Sequence, residues 1–174
     1  FTDPNQETPS GERSSLAFLH PFLKDRRVRE AIATAIDRET IAQELYGVTG
    51  KPTSNFVVNP PEFVSPNTSY SFNPEQAKAL LDQAGWVDTN GDGTRDQDGV
   101  EMRLLFQTSV NPLRQKTQAI IKQNLAEIGM AVELKSIDAS IYFSGDPANV
   151  DTTERFTADV QMFTTGNTNP DPLP

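Results

Sequence analysis

The chain has no cysteine and only one histidine and one tryptophan among its 174 residues. Without cysteine there are no disulfides, thiolate metal sites or thiol nucleophiles; the compartment stays open, because a cysteine-free chain survives inside or outside the cell. A lone His20 cannot build a zinc site, so its expected role is packing and hydrogen bonding beside Pro21. Positive charge is also scarce: 15 Lys and Arg stand against 24 Asp and Glu, a net charge of −9. The cations are scattered, which argues against nucleic acid and against an anionic membrane surface as partners. No apolar run approaches the roughly 18 residues of a membrane helix. There is no glycine-rich phosphate loop between a strand and a helix, and no nucleophile elbow.

An apolar fraction of 36% and 13 prolines suit one domain with long ordered loops. Residues 1–13 are polar and carry Pro and Gly, so they are expected to be a leader or linker. Leu16 to Leu19 form a short apolar run, expected to be a buried strand. Val28, Ala31, Ile32, Ala35 and Ile36 recur at helical spacing behind an Asp25 cap. Asp37 caps a second helix that carries Ile41, Ala42 and Leu45 and stops at Gly47. Residues 48–72 are a long loop. A third helix is punctuated by Asn73, Pro74, Gln76 and Gly85, with Ala77, Leu80, Leu81 and Ala84 inward. Alternation at Val100, Met102, Leu104 and Phe106 predicts a strand over 100–107. Asn111-Pro112 opens a long helix ending at Gly129, and Met130, Val132 and Leu134 alternate in the next strand. Strand, helix and strand with short links predict parallel neighbours joined by a right-handed crossover. Residues 138–157 are irregular, with one helical turn near Ser140–Phe143, and Ala158–Thr164 reads as a final strand. The fold class is therefore α/β, with helices flanking the sheet.

The sharpest local motif is Asp88-Thr89-Asn90-Gly91-Asp92-Gly93-Thr94. Oxygen side chains at alternate positions and a glycine at the sixth match the first half of a calcium loop. Asp88, Asn90, Asp92, Thr94 and Asp98 are the candidate ligands of a structural calcium. Two features depart from that pattern: the twelfth position is Gly99 rather than Glu, and a strand follows instead of a helix. The alternative is a polar turn whose carboxylates face water. A second cluster follows from topology, because ligands of open α/β sheets sit outside the carboxyl ends of the strands. Those ends hold Thr108, Ser109 and Asn111, and Thr164, Thr165, Gly166, Asn167 and Thr168. They are either binding groups on scaffolded loops or ordinary caps. Three functions stay open on residues alone: a ligand-binding lobe, a calcium-stabilised interaction module and a carboxylate-dependent hydrolase. No acidic pair sits in a distinctive catalytic motif.

Several segments, in order, resemble the family 5 extracellular solute-binding proteins of bacterial ABC importers. They are Arg27-Val28-Arg29-Glu30-Ala31-Ile32 through Asp37-Arg38, Asn73-Pro74-Glu75-Gln76-Ala77 with Ala84-Gly85-Trp86, Leu125-Ala126-Glu127-Ile128-Gly129 into Val132-Glu133-Leu134, and Asn169-Pro170-Asp171-Pro172. The resemblance covers about residues 14–172. It implies a type II periplasmic-binding-protein-like fold, with a mixed sheet and a βαβ crossover, and no enzymatic activity. Residues 14–172 would be one lobe of a longer two-lobe protein, opened by a hinge strand at 15–20, with 173–174 a truncated end. It implies as partners a peptide or other small solute, an ABC permease and the second lobe, an extracytoplasmic location and no required cofactor. Asp171 joins the candidate ligand-binding residues. Peptide receptors of this family often carry an Asp for the ligand's amino group where Thr168 stands. Its absence admits a neutral solute such as an oligosaccharide beside a peptide.

Overall fold

A computed structural model describes residues 1–58, 60–146, 148–164 and 166. Its helices start where an oxygen side chain can take the first free amides. Asp25 accepts from the Arg27 amide ahead of α1 (Arg26–Ala35), and Asp37 from the Thr40 amide ahead of the short α2 (Arg38–Ile41). Asn73 accepts from Gln76 ahead of α3 (Pro74–Gln83), and Asn111 from Leu113 and Arg114 ahead of α4 (Pro112–Glu127). Past α2 the chain runs through a wide turn over Ala42–Tyr46 and leaves it at Gly47, where φ is +54°.

The ends of α3 and α4 share one device. Trp86 donates its amide to the Leu81 carbonyl, and Met130 donates to Leu125, each at 3.0 Å. Both bonds bracket a left-handed glycine, Gly85 at φ +89° and Gly129 at φ +84°. These are Schellman closures, which absorb the last carbonyls of a helix at a residue without a Cβ penalty.

Between the two helices lies a hairpin, β1 (Asp96–Gln97) and β2 (Val100–Glu101), paired antiparallel. Its two-residue turn is Asp98-Gly99, with φ of +52° and +79°. Positive φ at both positions is the backbone of a type I′ hairpin turn, which Asp-Gly favours. The strand expected over 100–107 is consequently split at Met102. The first part belongs to the hairpin, and β3 (Arg103–Ser109) belongs to the main sheet.

In that sheet β3 is central. It pairs in parallel with β4 (Ala131–Ile137) from Arg103↔Ala131 to Ser109↔Ile137, and with β5 (Val160–Met162) from Phe106↔Val160 to Thr108↔Met162. The strand–helix–strand expectation is met: α4 joins parallel neighbours and packs on both. The three-stranded sheet is parallel throughout, and the antiparallel pairing is confined to the separate hairpin.

Alternation along the strands sorts the residues into two faces. Leu104, Phe106, Val132, Leu134, Val160 and Met162 turn toward the helices, into a core shared with Val28, Ala31, Leu81, Trp86, Leu125 and Ile128. On the opposite face lie Gln107, Ser109, Lys135 and Gln161. There the short helix α5 (Ala139–Tyr142), capped by Asp138, contacts β3, and Tyr142 is fully buried.

The strand expected at 15–20 does not form. Leu16 is 85% exposed and Leu19 57%, and the segment makes one isolated bridge, Thr2↔Leu19. A turn through Ser15–Phe18 breaks it, closed by Phe18 N–H on the Ser15 carbonyl. Four apolar residues without a long-range ladder partner do not define a buried strand. The polar segment ahead folds back on this stretch: Asp3 is buried and donates its amide to the Phe18 carbonyl.

Candidate functional site

His20 and Asp159 tie the start of the chain to the sheet. His20 Nδ1 accepts from the amides of Phe22 and Leu23 at 3.3 and 3.0 Å, which leaves Nε2 to carry the hydrogen and donate to Asp159 Oδ1 at 3.1 Å. Asp159 Oδ2 in turn accepts from the Leu105 amide at 2.6 Å. Both side chains are almost completely enclosed, at 2% and 5% exposure. This is the packing and hydrogen-bonding role expected of a lone histidine. It fixes β5 beside β3 and thereby sets where the carboxyl ends of the strands emerge.

At those ends the candidate residues divide. Thr108 and Ser109 are fully buried. Thr108 Oγ1 donates to the Met162 carbonyl at 2.7 Å, which staples β3 to β5. Ser109 Oγ accepts from Arg114 Nη1. The Asn111 side-chain oxygen is committed to the cap of α4. These three shape the edge from below. Thr164 and Gly166 are exposed beyond β5. Thr165, Asn167, Thr168 and Asp171 lie outside the described residues.

Residues that the sequence pattern did not single out complete the edge. Arg114 stands in the first turn of α4, with its guanidinium carbon 5.8 Å from the Phe143 ring centroid. Phe143 meets Tyr142 edge-on at 5.0 Å. Burial pushes the Tyr142 phenol above its ordinary value, with the nearby Arg114 charge pulling the other way. Val110, Ile141, Phe143 and Phe163 are exposed around the same edge. The usable signal was the spacing: a residue at the third position after an Asn-Pro helix start returns over the end of the preceding strand. Gln107 is fully buried one pleat below Ser109, and neither its side-chain oxygen nor its nitrogen has a partner; Gln161 Nε2, on the in-register neighbour, is also unpartnered.

The Asp-rich loop is organised differently. Asp88 Oδ1 and Oδ2 accept from the amides of Gly91 and Gly93, at 2.7 and 2.9 Å. Asn90 Oδ1 accepts from Asp92, Asp92 Oδ1 accepts from Thr94, and Asp92 Oδ2 accepts from Asn90 Nδ2. The Thr94 amide holds the Asp92 carboxyl below the usual carboxylate value. Asp98 occupies the hairpin turn. In this structure the loop's oxygens turn to its own amides, and among the described residues no three Asp, Glu, His or Cys are gathered together. Asp98-Gly99 forms a hairpin turn at the place where the calcium pattern would close.

What the loop does present is Arg95. Its Nε donates to the Ile128 carbonyl at 2.8 Å and its Nη1 to the Trp86 carbonyl at 2.6 Å, with Asp82 as ion-pair partner. One side chain thus clamps the ends of α3 and α4.

An apolar depression of about 420 Å³ lies elsewhere, between Ile36, Ile41, Ala42, Tyr46 and Ile121, with Arg38 and Lys51 at its rim. Arg38 Nη1 is spent on the carbonyls of Ala33 and Ile36, and burial lowers the pKa of its guanidinium.

Comparison with known proteins places this architecture. The oligopeptide-binding protein AppA of Bacillus subtilis is 33% identical over 124 residues, 68% of this chain and 23% of that protein. The oligopeptide-binding protein OppA of Mycobacterium tuberculosis is 37% identical over 137 residues, 74% of this chain and 22% of its own length. The chain therefore spans roughly a quarter of the relatives it matches. The structure of AppA in complex with a nonapeptide superposes with a TM-score of 0.63 at 28% identity, over 76% of this chain and 27% of that one. A periplasmic oligopeptide-binding protein of Thermotoga maritima, bound to mannohexaose, gives a TM-score of 0.57 at 27% identity, over 71% and 25% of the two chains. The family described as "Bacterial extracellular solute-binding proteins, family 5 Middle" matches residues 2–174, and the chain belongs to that family.

Proposed function

We propose that this chain is a large part of one lobe of an extracytoplasmic receptor for an ABC importer. The receptor holds a peptide or an oligosaccharide at the carboxyl edge of β3, β4 and β5 and hands it unchanged to a permease. The observation that carries this reading is the edge itself. Among the described residues, a parallel sheet braced by α4 and by the His20–Asp159 clasp ends in exposed small polar groups, exposed apolar side chains and Arg114. Open α/β sheets bind ligands at this edge. A second lobe closing over it would supply the missing enclosure by a hinge motion, with the solute favouring the closed state through contacts made only there. The family's character as solute-binding proteins supports passive capture, and the similar structures include one solved with a nonapeptide and one with mannohexaose.

In this reading Thr164, Thr165, Gly166, Asn167, Thr168 and Asp171 line the solute, while Thr108, Ser109 and Asn111 hold the edge in place. The test is mass spectrometry of the full-length protein purified without denaturation, followed by incubation with the solutes it releases. Peptides or oligosaccharides should co-purify and be recovered with unchanged mass. Recovery of cleaved products, or retention of no solute at all, would overturn the receptor reading.

A further inference from the structure

We propose that the depression beside Arg38 is a second binding site, separate from the solute edge, for a small amphipathic carboxylate. Its hydrocarbon tail covers Ile36, Ile41 and Ile121, and its single carboxylate head pairs with the Arg38 guanidinium. The place is distinct from the strand ends, since Ile121 lies roughly 13 Å along the α4 axis from Pro112.

Three segments build the apolar floor. Ile36 closes α1, Ile41 and Ala42 lead from α2 into the wide turn, and Ile121 comes from α4. Asn124 Oδ1 accepts from the Asp37 amide at 3.1 Å, which holds the junction of α1 and α2 against α4. The turn over Ala42–Tyr46 is π-helical, a rare geometry that concentrates at functional sites. Gly50 presses so close to it that a Cβ would sit 2.6 Å from the Ala42 carbonyl oxygen. Residues 50–53 therefore stand as the wall of the depression. Its volume of about 420 Å³ falls within the range of small-molecule sites. Ile36, Ile41 and Ile121 are only half-buried, so a hydrocarbon laid over them removes apolar surface from water.

Arg38 supplies the charge at the mouth of this floor. Its Nη1 donates to the carbonyls of Ala33 and Ile36, at 2.7 and 3.3 Å, and its Nε and Nη2 have no partner among the described residues. Nε and Nη2 form one side of the planar fork, the side that takes both oxygens of a carboxylate through parallel hydrogen bonds. None of the ion pairs among the described residues involves Arg38. Burial lowers its pKa, the mark of a poorly hydrated cation that an anion would relieve. Lys51 adds a second, exposed positive charge at the rim.

The surroundings limit the ligand to one small head. Glu39 and Glu44 are exposed on the same stretch, and the chain carries a net charge of −9. Both repel an anionic membrane surface or a polyanion, whereas a lone carboxylate reaches the guanidinium without crossing them.

The experiment titrates the full-length protein with sodium decanoate and with decanol, each below its aggregation threshold, by calorimetry and by isoleucine methyl NMR. The wild type should bind decanoate about tenfold more tightly than decanol, the order expected of one charge-assisted bidentate contact. The Ile36, Ile41 and Ile121 methyl resonances should shift with both probes. Arg38→Gln should bring decanoate down to the affinity of decanol, and Arg38→Lys should restore part of the difference. Because Arg38→Gln also strips two carbonyls of their donor, the exposed Lys51→Gln serves as a second variant. It should weaken decanoate about threefold and leave decanol unchanged, as expected of a solvated charge. In the wild type, equal affinity for the two probes, binding of neither, or shifts that spare the three isoleucines would overturn the inference. Displacement of decanoate by the solute that co-purifies with the protein would overturn it too, by placing the carboxylate at the solute edge. These outcomes leave the receptor reading intact, because solute capture at the strand ends is measured separately.

Discussion

The two edges of the parallel sheet use arginine in opposite ways. At the amino edge, Arg95 comes off the Asp-rich loop with only 13% of its side chain exposed, and its donors go to Ile128, Trp86 and Asp82. At the carboxyl edge, Arg114 spends Nη1 on one hydroxyl and meets no carboxylate among the described residues. The loop that looks most like a binding motif has turned its oxygens onto its own backbone. The edge that looks like ordinary caps and linkers keeps a charge in hand. A cluster of oxygen side chains therefore says little until their partners are known, because a lone pair given to a backbone amide is not offered to a ligand.

The comparison predicts the largest effect at the amino edge. Arg95→Ala should cost about 3 kcal/mol in urea unfolding, since it leaves two helix-terminal carbonyls and Asp82 without their charged donor. A loss under about 1 kcal/mol would show that water replaces the guanidinium and that the clamp is incidental. Asp88→Ala removes the acceptor of two loop amides and should cost about 1 kcal/mol. Millimolar calcium should leave the melting temperature of the wild-type protein unchanged. A calcium-dependent rise that disappears in Asp88→Ala would establish the loop as a metal site and reverse the contrast between the two edges.

Below the carboxyl edge, Gln107→Leu replaces a fully buried amide without partners by an apolar group of similar length. It should be neutral or stabilise by up to about 1 kcal/mol, because an unpaired polar group is costly to bury. Marked destabilisation would mean that the amide is satisfied by an internal water.

The smallest effect is a pH dependence at the start of α1. The hydrogen bond from Arg27 holds the Asp25 carboxyl below its ordinary value of 3.8. A group depressed in the folded state contributes its full stabilisation above the unfolded value and loses it as pH falls through the folded one. The Asp25 contribution is therefore complete above about pH 4 and disappears at lower pH. Asp25→Asn keeps an N-cap acceptor and removes the titration. The acid limb of its stability curve should be shallower by a few tenths of a kcal/mol, as expected for an exposed ion pair. An identical acid limb in the two proteins would place the pH sensitivity elsewhere.

Local chemistry was legible in the sequence wherever a structural decision involves residues a few positions apart. The caps at Asp25, Asp37, Asn73 and Asn111, the stops at Gly85 and Gly129, and the strand–helix–strand unit follow from such short-range bonds, and so do the ordered segments that resemble the family. Asp98-Gly99 is equally local: the sequence leaves it open between the close of a metal loop and a polar turn ahead of the strand, and its backbone makes a hairpin turn.

Other features belonged to the tertiary structure. Leu16 and Leu19 are apolar but surface-exposed, because a buried strand needs a partner ladder that the short run does not find. Thr108 and Ser109 become supports rather than presented groups once β5 pairs with β3 and Arg114 swings over the strand end. His20 gains its role only when Asp159, 139 residues later, arrives beneath it. The division has a physical cause. Caps and turns are closed by bonds within one or two turns of chain, whose geometry is set by residue type. Burial, strand neighbours and free donors depend on which distant surfaces meet, and no short stretch of this chain carries that information alone.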